Sequence, residues 1–165
     1  MIILLISGIT EYQEDDFTGE DFDGTMLNEH YFENCKFRFS NFSNASLTDC
    51  VFRNCDFTGS RFSDFKALKC EFSNCNFNNS NFVTVEFDNC KAIGSSFLGT
   101  RFFSLDIKGG NFSYTNFSGC NLRGMNLSNI IFSNALFKEC NLEKTKFRYS
   151  DLRQAVLHNA TLTEA

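Results

Sequence analysis

Proline and tryptophan are absent from this chain of 165 residues, and histidine occurs only twice. Because proline would remove backbone donors, its absence is compatible with a long, regularly hydrogen-bonded stack. Long hydrophobic runs are missing too. The apolar segment 1–9 is too short to span a bilayer and has no basic n-region, which argues against a membrane anchor or a signal peptide. We expect residues 1–11 to form a strand that caps the first turn of the fold.

The chain does contain an apolar residue at every fifth position from Phe17 to Leu162, thirty times without interruption. A helix would repeat its buried face every 3.6 residues and a half-buried strand every second residue, so neither explains this period. The spacing predicts a chain that turns a corner every five residues. Such short units cannot bury their own side chains and become stable only by stacking, which indicates a solenoid.

The other four positions of each five-residue unit also have a character. Two residues before the apolar centre the side chain is small, and directly before it Asp or Asn is frequent, as in Asn116 and Asp56. Short polar side chains of this kind bond to nearby backbone and favour turns. Two residues after the centre Gly, Asn or Asp recurs, for example Gly59 and Gly119, and these residue types tolerate a tight corner.

These units resemble the pentapeptide-repeat motif of a small residue, Asp or Asn, Leu or Phe, Ser, Thr or Arg, and then Gly or a polar residue. The similarity is clear in the segments 55–59, 115–119 and 120–124 and covers about residues 12–165. The resemblance implies an all-β fold, a right-handed quadrilateral β-helix of about seven coils of 20 residues. We therefore expect one repeat domain over 12–165.

A coil of 20 residues sorts the apolar centres into columns. The most regular column forms a predicted core ladder, which reads Phe17, Phe37, Phe57, Phe77, Phe97, Phe117 and Phe137. Stacked aromatic rings in such a ladder add to simple burial. Ala67 and Ala92 interrupt the aromatic core. Phe65, at a site where a small residue is expected, is predicted to compensate for Ala67, since protein interiors are densely packed.

All eight cysteines lie at the small inward position, two residues before a centre. Stacked neighbours such as Cys35 and Cys55 are predicted about one strand spacing apart, beyond the usual Cβ separation of a disulfide. Their spacing also lacks the paired pattern of zinc sites. We expect free, buried thiols, no metal or other cofactor, and a reducing, cytoplasmic location.

Charge is unevenly distributed, since residues 11–33 hold nine carboxylates and no Lys or Arg. This segment is either a solvated acidic surface or a docking surface for a basic protein partner. The candidate acidic patch consists of Glu14, Asp15, Asp16, Glu20, Asp21 and Asp23. The arginines, among them Arg61, Arg101 and Arg153, are expected on different faces, so we predict no direct binding of nucleic acid.

The C-terminal coil is apolar and has no polar cap, although solenoid ends ordinarily need one. Either a second copy of the chain, stacked end to end, or further residues would bury it, and we favour a homodimer. The candidate dimer end consists of Leu136, Leu152, Val156, Leu157 and Leu162. A second exposed apolar group is Val83, Ile93, Leu98 and Phe103, which indicates a partner patch or local repacking.

Catalysis finds no support in the sequence. His30 and His158 lie about six coils apart, and there is no phosphate loop, nucleophile elbow or metal motif. We therefore expect no enzyme and no catalytic residue. The chain is similar to quinolone-resistance pentapeptide-repeat proteins of the Qnr and MfpA kind, which implies a DNA mimic that binds a type II topoisomerase, DNA gyrase or topoisomerase IV. The alternatives are a general protein-interaction scaffold and a self-protection factor against a topoisomerase poison.

Overall fold

The computed structural model describes residues 10–165, which form an all-β solenoid of parallel strands with no helix in that range. Residues 1–9 of the predicted capping strand lie outside the described residues. One sheet connects all the strands, which are β1 (Glu11–Gln13), β2 (Met26–Asn28), β3 (Tyr31–Glu33), β4 (Ser46–Thr48), β5 (Val51–Arg53), β6 (Arg61–Leu68), β7 (Glu71–Ser73), β8 (Asn81–Lys91), β9 (Arg101–Phe102) and β10 (Leu105–Asn111). No helix of the described part has the length and apolar character needed to span a membrane.

The strands pair with a register of 20 residues, as in Phe32 opposite Phe52 and Phe52 opposite Phe72. With an apolar centre every five residues, each turn has four sides. We number them by their first centres: side 1 from Phe17, side 2 from Phe22, side 3 from Leu27 and side 4 from Phe32. The period and the coil length are thus confirmed.

The expected number of about seven coils is too high for the regular solenoid, in which the ten strands end at Asn111 and account for about five turns. Beyond Asn111 the chain keeps the same register through single β-bridges, for example Asn116 with Leu136 and Asn141 with Thr161. Each bridge there joins one residue of a side to the next turn, as the bridges on side 1 do from the first turn onward.

The apolar centres fill the interior as predicted. Successive rings of the core ladder lie almost parallel, with centroids 5.0 Å apart for Phe17 and Phe37 and 4.9 Å apart for Phe97 and Phe117. Rings on adjacent sides meet edge to face, for example Phe32 and Phe37 at 5.3 Å. Both geometries are favoured by the charge distribution of aromatic rings. Phe17, in the first turn, is the one half-buried member of the ladder.

The small inward residues have a second role besides saving space. Their thiol or hydroxyl group donates to the backbone carbonyl 23 residues earlier, as in Ser80 to Phe57 (2.8 Å), Thr100 to Phe77 (2.7 Å) and Cys120 to Phe97 (3.2 Å). Each bond pairs a polar group that would otherwise be buried alone, which avoids a desolvation cost. This requirement explains why Cys, Ser and Thr share a site.

The corners follow the turn chemistry expected from the sequence. Asn111 accepts the backbone N–H of Ser113 at 2.9 Å through its side-chain oxygen, and Asp16 accepts that of Thr18 at 3.0 Å. The residue two places after a centre adopts a positive φ, for example 55° at Asn34, and among the described corners only Ser104 departs from this rule. Asn and Gly tolerate this left-handed conformation better than other residues, which is why they recur there.

The three longest strands, β6, β8 and β10, cross side 3, where the small inward position holds Phe65, Val85 and Leu105. All three residues are buried, and the ring of Phe65 meets that of Phe62 at 5.1 Å. Phe65 thus points into the core as predicted, and its compensation for Ala67 stays a prediction. Strand pairing continues through the corner at these positions, although Asp64 and Thr84 keep a positive φ of 51° and 55°.

Candidate functional site

The interior of the solenoid is closed by side chains, so the candidate sites lie on its outer surface. Among residues 10–165, no group of three or more His, Cys, Asp or Glu is arranged to hold a metal ion. His30 stacks on Tyr12 with ring centroids 6.4 Å apart, and its Nδ1 lies 2.8 Å from the carbonyl oxygen of Asn28. His158 is exposed in the last turn. The two imidazoles therefore lie at opposite ends of the solenoid.

The candidate acidic patch wraps around two adjacent sides of the first turn. Glu14, Asp15 and Asp16 lie on side 1 and at the corner before it, and Glu20, Asp21 and Asp23 lie on side 2 and at its preceding corner. All six side chains are exposed. Their surface position agrees with a docking role and equally with a solvated acidic surface.

Hydrogen bonds from the second turn orient part of this patch. Asn41 donates its amide to Asp21 at 2.8 Å, and Asn44 donates to Asp23 at 2.8 Å. Hydrogen bonds from the side chain and the backbone N–H of Thr18 hold the pKa of Asp16 below its ordinary value. Because hydrogen bonds to the charged form favour that form, Asp16 stays ionised at neutral pH.

The patch is nearly free of neutralising cations. Within the described residues its one ion pair joins Asp16 to Lys36 at 3.8 Å, and both side chains are more than half exposed. Exposed pairs of this kind are weak. On the same ladder of side 1, Lys36 is followed by Asp56 and Asn76, so the acidity does not continue along the solenoid.

The five residues of the candidate dimer end occupy the last turn and a half. Leu136 forms a β-bridge with Val156 on the outside of side 1, and both are half-buried. Leu152 and Leu157 pack against the core but are only partly covered, and Leu162 is 47% exposed. Leu136 and Val156 thus lie on the outer wall, whereas Leu152, Leu157 and Leu162 are the last apolar centres of the core, and the homodimer itself stays a prediction.

All eight cysteines are free and buried, in agreement with the sequence. Burial raises the pKa of Cys120 to about 12 and that of Cys140 to about 11. The thiolate is the reactive form of cysteine, so Cys120 and Cys140 are protonated and weakly reactive near neutral pH.

The expectation that the arginines lie on different faces is wrong for part of the set. Arg61 and Arg101 lie on one ladder of side 2, with Asn81 between them. Their separation of 40 residues is two coil lengths, and from this spacing the shared ladder could have been predicted. Phe103 on the same side is 69% exposed, and Leu98 across the neighbouring corner is 47% exposed, whereas Val83 and Ile93 are half-buried.

Two family models match the chain. The model described as "Pentapeptide repeat region" matches residues 10–82 and 45–117, and "Pentapeptide repeats (8 copies)" matches residues 115–154 and 135–165. Together they cover the whole of the described part. No curated protein matches the chain.

Solved structures give the same fold. A trypsin-treated form of QnrB1, described as a plasmid-mediated fluoroquinolone resistance protein, is similar with a TM-score of 0.64 and 24% identity over 94% of this chain and 84% of that one. A second trypsin-treated form of QnrB1 has a TM-score of 0.50 and 22% identity over 92% and 76% of the two chains. At this identity the likeness establishes the fold alone.

Proposed function

Because this chain belongs to the pentapeptide-repeat family, we propose that it acts by binding a protein partner and not by catalysis, and that the partner is a type II topoisomerase, DNA gyrase or topoisomerase IV. The proposal includes protection of that enzyme from quinolones or similar poisons. The observation that carries it is the exposed acidic patch at one end of a solenoid that has the fold of a fluoroquinolone resistance protein.

The physical argument starts from the field of the acidic patch. A topoisomerase surface that binds DNA is basic, and an acidic surface of matching sign is steered towards it over distances of about one Debye length, roughly 8–10 Å in physiological salt. Nine carboxylates in residues 11–33 without a Lys or Arg provide such a field. Since the patch lies in the first turn, only this end of the solenoid would imitate DNA.

The test is a supercoiling and cleavage assay with purified gyrase, with and without a quinolone. We expect the unaltered protein to lower the drug-dependent cleavage. The matched variant reverses three patch carboxylates that form no ion pair or side-chain hydrogen bond within the described residues, Glu14→Lys, Asp15→Lys and Glu20→Lys. This variant should lose the effect and keep its melting temperature, because all three side chains are exposed.

A control variant makes the same change of charge elsewhere. Asp49→Lys, Asp64→Lys and Glu139→Lys reverse three exposed carboxylates outside the patch. This control should protect gyrase as well as the unaltered protein does. Equal loss in both variants would mean that net charge, and not the patch, is responsible. No effect of the unaltered protein on gyrase would overturn the topoisomerase proposal and favour a general interaction scaffold.

The predicted homodimer is part of the proposal. Covering Leu157 and Leu162 with a second copy would remove apolar surface from water, which is worth about 25 cal/mol per Å². Sedimentation velocity tests this contact. We expect a dimer for the unaltered chain and a monomer for Leu162→Asp, and a monomer in both would contradict it.

A further inference from the structure

Five of the seven arginines are engaged in side-chain contacts. Each of them has a partner that neutralises or covers its guanidinium group: Arg38 with Asp56, Arg53 with Glu71, Arg123 with Glu143, Arg148 with the ring and hydroxyl of Tyr149, and Arg153 with Asp151. Within residues 10–165, Arg61 and Arg101 have no ion pair, side-chain hydrogen bond or aromatic contact. Both are exposed.

These two free arginines are neighbours on one ladder. Arg61 is in register with Asn81, and Asn81 is in register with Arg101, so their Cα atoms lie two strand spacings apart, about 9.6 Å. The residue between them, Asn81, is half-buried and uncharged, so no charge separates the two guanidinium groups on this ladder.

The two outward positions of each turn on side 2 carry a single sign of charge around the two arginines, and the exposed Asp64 lies at the corner that follows. Outward positions of side 2 from the second to the sixth turn contain no carboxylate: they are Asn41, Ser43, Arg61, Ser63, Asn81, Val83, Arg101, Phe103, Asn121 and Arg123. On side 2, carboxylates occur at both ends of this series of positions: Asp21 in the turn before it and Glu143 in the turn after it. The strip is thus bounded along the solenoid, and we call it the arginine strip.

An apolar contact point lies inside the arginine strip. Phe103 borders a surface groove of about 360 Å³ together with Arg101, Gly99 and Gly119. The groove is open at Gly119, where no other atom lies within 4 Å of the position that a Cβ atom would occupy. An exposed aromatic ring beside an unpaired arginine is typical of the residues that dominate protein interfaces.

We propose that the arginine strip binds an acidic, extended protein segment whose carboxylates pair with Arg61 and Arg101. Charge complementarity selects the occupant, since guanidinium groups bind carboxylates through two parallel hydrogen bonds. A segment in the polyproline II conformation brings every third residue to the same side with a repeat of about 9.3 Å, close to the spacing of the two arginines. An apolar residue of the segment would cover Phe103. This proposal does not depend on the topoisomerase proposal, which uses the acidic patch.

The experiment uses the full chain and a fluorescein-labelled synthetic peptide with glutamate at every third position and one central leucine. Fluorescence anisotropy measures binding. We expect the double variant Arg61→Glu with Arg101→Glu to weaken binding by about tenfold or more, and added salt to weaken binding to the unaltered protein. Phe103→Ala should weaken binding by a smaller factor. Both sets of changes are at exposed positions, so the melting temperature should not move.

Two matched controls isolate the arginine strip from net charge. Lys138→Glu with Lys146→Glu makes the same charge change at exposed sites on sides 1 and 3 and should leave binding unaltered. A peptide with glutamine in place of glutamate should not bind. Equal binding by the Arg61 and Arg101 double variant would overturn the proposal. So would binding of a single-stranded oligonucleotide, but not of the peptide, through these two arginines, since the ligand would then be nucleic acid.

Discussion

The ring of Phe77 lies parallel to that of Phe97, with centroids 4.9 Å apart and planes inclined by 4°. On its other side Phe57 stacks at 4.8 Å, so Phe77 is held between two rings and is buried. The contact repeats once per coil. One aromatic side chain therefore stabilises the attachment of its own coil to the coil on each side.

The first prediction concerns this ladder. Phe77→Ala removes both stacked contacts and leaves a cavity, so we expect it to lower the free energy of unfolding by about 3 to 5 kcal/mol. Phe77→Leu keeps most of the volume and should cost less. Urea titration measures both. A cost below about 1 kcal/mol for the alanine variant would show that Phe77 is not a core residue.

The core could be predicted from the sequence because its period of five has no other explanation, and the small inward residues marked its second site. The hydrogen bonds of Thr100 and Cys120 to carbonyls 23 residues away could not, since they depend on the rotamer inside the stack. The long strands of side 3 were also unexpected. They arise where Phe65 and Val85 replace a small residue, an effect of packing that the repeat pattern does not contain.

The candidate site, too, could be predicted only in part from the sequence. The acidic patch could be predicted because its residues are close in sequence. The position of Arg61 and Arg101 on one ladder is found only when the coil register is applied to charged residues too. Phe39 was missed altogether: it occupies a corner position, where Gly or Asn is expected, with φ of 58° and 66% exposure. Its place can be understood only from the neighbouring coil.

The second prediction tests that neighbour. Gly59 has φ of 71°, and a Cβ atom there would lie 2.6 Å from the ring of Phe39. Gly59→Ala should therefore lower stability by more than the roughly 1 to 2 kcal/mol expected for a left-handed residue alone. Gly119→Ala, at φ of 72° with open space around it, measures that backbone cost. In a Phe39→Ala background the two glycine variants should become equal in urea denaturation; a persisting difference would contradict the proposed clash.

The third prediction concerns the thiols. Because all eight cysteines are buried and free, the native protein should react only slowly with Ellman's reagent at pH 8, and all eight thiols should appear on denaturation. Burial keeps Cys120 and Cys140 in the protonated form, with pKa values of about 12 and 11. Rapid modification of several thiols in the folded protein would mean that the cysteines are more accessible than their burial indicates.

The last prediction is a loss of stability in acid that depends on Asp151. Hydrogen bonds from the guanidinium of Arg153, at 2.9 and 2.7 Å, and from Ser133, at 2.7 Å, hold the pKa of Asp151 well below its ordinary value of 3.8. Since the folded state favours the ionised form, this contribution is fully present above pH 3.8. It is lost as the pH falls from there towards the lowered folded-state pKa.

The comparison that reveals this contribution is between the unaltered chain and Asp151→Asn, because asparagine keeps the shape but cannot ionise. We expect the variant to be less stable at pH 7 and the difference to shrink as the pH falls below about 4. Asp49→Asn, at an exposed position without an ion pair in the described part of the chain, serves as the control. Urea midpoints measured across the pH range decide the matter. Parallel curves for the unaltered chain and Asp151→Asn would show that the contacts with Arg153 and Ser133 do not favour the charged form, since only a shifted titration makes the difference depend on pH.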